Sequence, residues 1–200
     1  MDPDLLSAFD RGESPCLIRE PSGRLLSAGE RPRALLSGSF NPLHDGHRRL
    51  AEAAAARLGV PVAFELCAAN AEKPPLGAAE LMRRLRQFEM LAAVWVTRAA
   101  TFAAKAELFP GAAFVVGADT AERVVAPRFY GGSSERMLSA LAAIRAAGCR
   151  FVVAGRADAS GRFVAAEAVG VPAQFRDLFD PLSEAEFRHD LSSTQLRTRA

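Results

Sequence analysis

At 200 residues the chain is long enough for one well-buried core and too short for two full domains of ordinary size. Half of it is hydrophobic and 24% is charged, a globular balance that excludes fibrous and disordered classes. The formal net charge is only +2, and the arginines are scattered rather than gathered into an arm, so nothing here supports a nucleic-acid partner.

Cys16, Cys67 and Cys149 are odd in number, far apart and without C-x-x-C spacing, which argues against a disulfide framework and against a thiolate zinc site. A reducing compartment suits them. The opening Met1-Asp2-Pro3-Asp4 lacks the basic start and apolar stretch of a secretion signal, and no run reaches membrane-spanning length. The expected location is therefore cytoplasmic, with no membrane partner.

In chain order, residues 1–30 carry Pro15, Pro21, Gly12, Gly23 and Gly29 around two apolar pieces, Cys16-Leu17-Ile18 and Leu25-Leu26. They are expected to form an N-terminal extension or small hairpin, turned at Glu20-Pro21-Ser22-Gly23. Residues 31–200 are expected to form the main domain. Within it, strands are predicted near 34–38, 62–67, 93–97, 112–117 and 150–154, and helices near 46–58, 78–91, 101–107, 119–126 and 134–147. Such alternation predicts an α/β fold, a Rossmann-like doubly wound parallel sheet with helices on both faces. Arg162-Phe163-Val164 and the acidic stretch from Asp177 to Asp180 carry no clear pattern.

Between the first of these strands and its helix runs Ser37-Gly38-Ser39-Phe40-Asn41-Pro42-Leu43-His44-Asp45-Gly46-His47, which holds two of the three histidines. A strand-turn-helix segment leaves the first helical amides unpaired, a natural site for an anion. The pair His44 and His47 has three readings. As a metal site it is short of ligands; as structure, the histidines would cap backbone groups in a tight turn; as catalysis, two donors beside a helix start would stabilise charge on a phosphoryl group in transfer.

Further along, Val116-Gly117-Ala118-Asp119-Thr120 closes a predicted central strand, and Asp119 with Glu122 has the spacing of a helix cap. Lys73, in Asn70-Ala71-Glu72-Lys73-Pro74-Pro75, and Arg156, after Phe151-Val152-Val153-Ala154-Gly155, fall on the carboxyl edge of the predicted sheet, where α/β proteins bind ligands. A solvated surface position is the default reading of Lys73, while Arg156 is placed to reach a polyphosphate on that edge. Gly131-Gly132-Ser133-Ser134 reads better as a helix start before Glu135 than as a phosphate loop. Near the end, Leu191-Ser192-Ser193-Thr194-Gln195-Leu196-Arg197 has the form of a capping box with a guanidinium one turn on.

These residues carry a resemblance. Gly38 to His47 is similar to the G-x-F-x-P-x-H-x-G-H signature of the nucleotidylyltransferase superfamily, and Leu191 to Arg197 resembles the I-S-S-T-x-I-R motif of its nicotinamide and nicotinate mononucleotide adenylyltransferases. The two motifs stand about 145 residues apart and in the family's order. The resemblance covers roughly residues 33–197. It implies adenylyl transfer from ATP, with Mg²⁺ on the phosphates, to a mononucleotide acceptor, and release of pyrophosphate. His47 would meet the α-phosphate as charge develops, His44 would help bind phosphates, and Gly38, Ser39 and Phe40 would support the nucleotide. Ser192, Ser193, Thr194 and Arg197 would hold the outer phosphates, Arg156 would assist, and Asp119 would bind the ribose.

Pyridine-using relatives place a tryptophan soon after the G-x-D segment, where this chain has Ala126-Pro127-Arg128-Phe129-Tyr130. Phe129 or Tyr130 would then stack on the acceptor ring, with Lys73 as a further acceptor contact. The alternatives are an enzyme using pantetheine phosphate, one using CTP with an alcohol phosphate, and a nucleotide-binding module without turnover.

Overall fold

The computed structural model describes residues 3–69, 76–157, 163–164 and 169–188. Its centre is the strand β3 (Ala34–Ser37), flanked in parallel by β4 (Ala63–Cys67) on one side and β6 (Ala113–Gly117) on the other. Beyond β4 lies β5 (Val94–Thr97), and beyond β6 lie β7 (Arg150–Ala154) and β10 (Phe179–Leu182), all parallel. The chain therefore builds outward from β3 in one direction and then, from β6 onward, in the other. This reversal makes the gap between the carboxyl ends of β3 and β6 the topological switch point, the usual ligand crevice of such sheets.

Both faces are buried, which is why the strands read as unbroken apolar runs. Ala34, Leu36, Phe64, Leu66, Val94 and Val96 face α2 (Asp45–Leu58) and α3 (Ala78–Arg86). Leu35, Trp95, Phe114, Val116, Phe151 and Val153 face the other way, towards α4 (Phe102–Leu108), α5 (Ala118–Val124) and α6 (Ser134–Ala146). The expected doubly wound α/β fold with helices on both faces is the observed one. Ser133 caps α6 by accepting the Arg136 amide at 3.1 Å, so the Gly131 to Ser134 stretch is a helix start.

The expected N-terminal hairpin is present, β1 (Cys16–Arg19) with β2 (Leu25–Leu26) turned at Glu20 to Gly23, and it extends the sheet by pairing β1 antiparallel to β5. Three local features depart from the sequence-based expectations. Residues 3–10 form α1 (Pro3–Asp10), which buries Phe9 completely. The helix predicted over 78–91 ends at Arg86, because Phe88 and Glu89 tighten onto the carbonyls three residues back and Met90 turns left-handed at φ 57°. The patternless stretch around Asp180 is a single 3₁₀ turn (Ala173–Leu178) leading into β10, whose Pro181 masked a strand that is tolerated only because it is an edge. Arg156–Ala157 and Phe163–Val164 pair as a separate antiparallel ribbon, β8 and β9.

Phe151 anchors the second core layer, stacked on Phe179 at 4.8 Å and edge-on to Phe102 at 5.1 Å. Phe151→Ala is expected to lower the unfolding free energy in urea by about 3–5 kcal/mol; a loss below about 1 kcal/mol would show that this layer collapses onto the gap.

Candidate active site

The loop that leaves β3 is shaped by an aromatic ring rather than by its polar residues. Phe40 takes a left-handed φ of 44° and is fully buried, edge-on to Phe64 at 5.6 Å, Phe88 at 5.1 Å and His47 at 5.1 Å. A non-glycine residue in that region is strained by roughly 1–2 kcal/mol, and burial of the phenyl ring more than offsets it. The Asn41–Pro42 peptide is cis. Gly38 is demanded by contact: a Cβ there would lie 2.8 Å from the Phe40 ring, which its aromatic neighbours hold in place.

His44 then stands at the N-cap of α2 with extended backbone, and His47 lies in the first turn. Their rings are 3.8 Å apart and tilted by 33°. The His44 amide donates to His47 Nδ1 at 3.2 Å. Nδ1 is thereby an acceptor, so the neutral ring carries its proton on Nε2, the nitrogen on the far side. Both histidines are half-buried, and Leu50, Ala51 and Ala54 fasten the helix to the sheet behind them.

The turn is gripped from the side by the end of α3. Gln87 donates its amide to the Phe40 carbonyl at 2.9 Å and accepts the Leu43 N–H at 2.8 Å. Arg84 donates to the Ser39 carbonyl at 3.0 Å and Arg83 to Asn41 Oδ1 at 2.6 Å. Glu80 holds both guanidinium groups, each at 2.7 Å, and the hydrogen bonds from Arg83 and then Arg84 lower its carboxyl pKa to about 2. Sequence reasoning missed this clamp. Glu80 with Arg83 and Arg84 is legible as helical ion pairing, but spacing alone does not say which loop the helix faces.

On the other side of the switch point, Gly117 is the N-cap of α5, so Asp119 sits inside the first turn and Glu122 deeper still. The capping pattern read for those two residues is thus displaced by two positions, and Asp119 is not the cap. Beyond α5, Pro127–Tyr130 forms a 3₁₀ turn. There the Tyr130 hydroxyl donates to the Val124 carbonyl at 2.8 Å, and burial raises its pKa. Phe129 has the guanidinium groups of Arg128 at 4.9 Å and Arg123 at 5.7 Å against its ring. Arg156 opens β8 with its backbone, while its side chain, Lys73, Ser192, Ser193, Thr194 and Arg197 lie outside the described residues.

A doubly wound sheet with a strained turn and two histidines at its switch point has the form of a nucleotide-handling α/β protein. The chain belongs to the cytidylyltransferase-like family, whose model matches residues 35–199, and nucleotidyl transfer is accordingly its reaction class. No curated protein matches the sequence.

Two outcomes test this geometry. Gly38→Ala should abolish nucleotide binding while leaving the sheet folded, because the new methyl group displaces Phe40; calorimetric titration with ATP at unchanged far-UV circular dichroism checks it. Since the folded pKa of Glu80 lies below its ordinary 4.5, its contribution is complete above about pH 4.5 and is lost as pH falls towards 2. The protection of the Leu43 amide, its exchange rate relative to the intrinsic rate at each pH, should therefore fall across that window in the wild type and stay flat in Glu80→Gln.

Proposed function

We propose that this nucleotidyltransferase joins the AMP moiety of ATP to the phosphate of a mononucleotide, nicotinamide or nicotinate mononucleotide, and releases pyrophosphate. The observation that carries the reading is the orientation of His47: Nδ1 accepts the His44 amide, so on the neutral ring Nε2 carries the proton and is the nitrogen that would donate to a phosphoryl oxygen. The acceptor phosphate attacks the α-phosphorus in line, one P–O bond forms as the bond to the leaving pyrophosphate breaks, and His47 stabilises the charge that grows on the equatorial oxygens. His44, at the helix start beside it, binds the phosphates, and the backbone from Gly38 to Phe40 supports the nucleotide.

In the same reading, Ser192, Ser193, Thr194 and Arg197 hold the β- and γ-phosphates with help from Arg156, and Asp119 binds ribose hydroxyls. Mg²⁺ would come with the phosphates of ATP, held by them together with the residues that bind them, and would supply charge neutralisation there. Lys73 contacts the acceptor.

Phe129 is favoured over Tyr130 as the surface for the acceptor ring. Its face already receives two cations, as it would a cationic pyridinium, whereas the Tyr130 hydroxyl is committed to Val124. We place the enzyme in the cytoplasm: all three cysteines are free thiols, and among the described residues no helix is long and apolar enough to cross a membrane. The family description favours one competing reading, a cytidylyltransferase that takes CTP and an alcohol phosphate.

Pyrophosphate release separates the readings. With Mg²⁺ and ATP, the protein is expected to produce pyrophosphate when given either pyridine mononucleotide. Production only from CTP with an alcohol phosphate would replace the acceptor and the nucleotide, and binding without pyrophosphate from any pair would make the protein a non-catalytic module. His47→Ala should lower turnover on the order of a hundredfold to a thousandfold at unchanged melting temperature; near-normal turnover would remove the role given to it.

A further inference from the structure

Behind the phosphate turn lies a polar network in an otherwise apolar layer. Glu65 of β4 is 1% exposed, Thr97 at the end of β5 is 0% exposed and Lys105 of α4 is 5% exposed. Glu65 Oε1 accepts both from Lys105 Nζ at 2.6 Å and from the Thr97 hydroxyl at 2.5 Å. Its other oxygen, Oε2, is buried without a hydrogen-bond partner among the described residues, and so is Ser37 Oγ, on the residue paired with Glu65 across β3 and β4.

Such a network is a poor device for stability. A buried ion pair must recover two desolvation penalties, an unpaired buried oxygen adds another, and apolar side chains of similar volume are often as stable or more so. What the network does have is connectivity. Thr97 and Lys105 lie on either side of the loop 98–101, so a single carboxylate fastens that loop at both ends. The backbone carbonyl of the same Glu65 accepts the Gly38 N–H at 3.0 Å, the first amide of the phosphate turn. The loop after β4 is stitched to the same place, through the Ala68 N–H to the Thr97 carbonyl at 2.7 Å and Cys67 Sγ to the Ala99 carbonyl at 3.1 Å.

We propose that Glu65 is a positioning residue for nucleotidyl transfer, holding the phosphate turn after β3 in fixed register with the loops that end β4 and β5. The inference rests on nucleotidyl transfer and not on the identity of the acceptor. Two loops at the carboxyl edge share one residue, whose side chain holds the loop after β5 while its backbone holds the turn after β3, and the loop after β4 is tied to the first of these through Ala68 and Cys67. In-line attack tolerates little error in that spacing, since a displacement of about 1 Å can cost roughly a hundredfold in rate.

The test replaces the charged pair with apolar groups of similar volume, Glu65→Leu with Lys105→Met, and compares it with Glu65→Gln plus Lys105→Met, whose amide oxygen still accepts from Thr97. The Leu/Met protein should melt at or near the wild-type temperature, yet exchange its Gly38 amide at least tenfold faster and lose tenfold to a hundredfold in kcat. The Gln/Met protein should recover most of both losses. A Leu/Met protein with Gly38 exchange and kcat within twofold of wild type overturns the proposal, as do Leu/Met and Gln/Met proteins that behave alike. Should Leu/Met fail to fold, Thr97→Val removes one donor at similar volume and decides on the same two measurements: faster Gly38 exchange with lower kcat supports the proposal, and no change overturns it. If the wild type itself releases no pyrophosphate with ATP and pyridine mononucleotides, the proposed substrates or turnover are what fails, and Gly38 exchange in the unliganded protein still judges Glu65.

Discussion

The burial of one phenyl ring organises this site. Phe40 lies in the middle of a polar loop, and its side chain is drawn between Phe64 and Phe88 with enough force to hold its own backbone in a left-handed conformation. Everything around it follows from that anchor: Gly38 must lack a side chain to let the ring pass, His47 is set edge-on against it, and Gln87 fastens the carbonyl that the turn exposes. The polar chemistry of the turn is thus fixed from beneath by the hydrophobic effect, which is stronger and less sensitive to salt than the hydrogen bonds it arranges. A loop held only by polar contacts would pay to order its amides each time a nucleotide bound.

Much of the architecture was legible because the parallel strands are buried on both faces, which turns them into short unbroken apolar runs such as Phe114-Val115-Val116. The illegible parts share a physical cause, which is that tertiary contacts overrode local pattern. Glu89 and Met90 continue a helical sequence, yet the Met90 amide is taken by the Pro21 carbonyl of the hairpin at 3.0 Å. Phe179 to Leu182 contains a proline and two charges nearby, but pairing with β7 made it a strand. At the site, the histidine turn was visible as a motif, whereas the clamp from Glu80, Arg83, Arg84 and Gln87 was not, because no local rule says where a helix points its last turn.

The site has two different kinds of support. On the α2 and α3 side the turn is held by exposed or half-exposed ion pairs, individually weak and screened by salt. On the opposite face it is held by the fully enclosed Glu65, Lys105 and Thr97 group.

The two ends of the sheet carry a last consequence. One is finished by β2, a strand of only two residues, and the other by β10, where Pro181 has no amide to offer a neighbour. Among the described residues, neither border of this sheet presents a long row of free donors and acceptors on which another chain could template itself. Among the described residues, these two borders of the main sheet thus disfavour backbone strand addition and leave its helical flanks, where side chains rather than amides decide who binds.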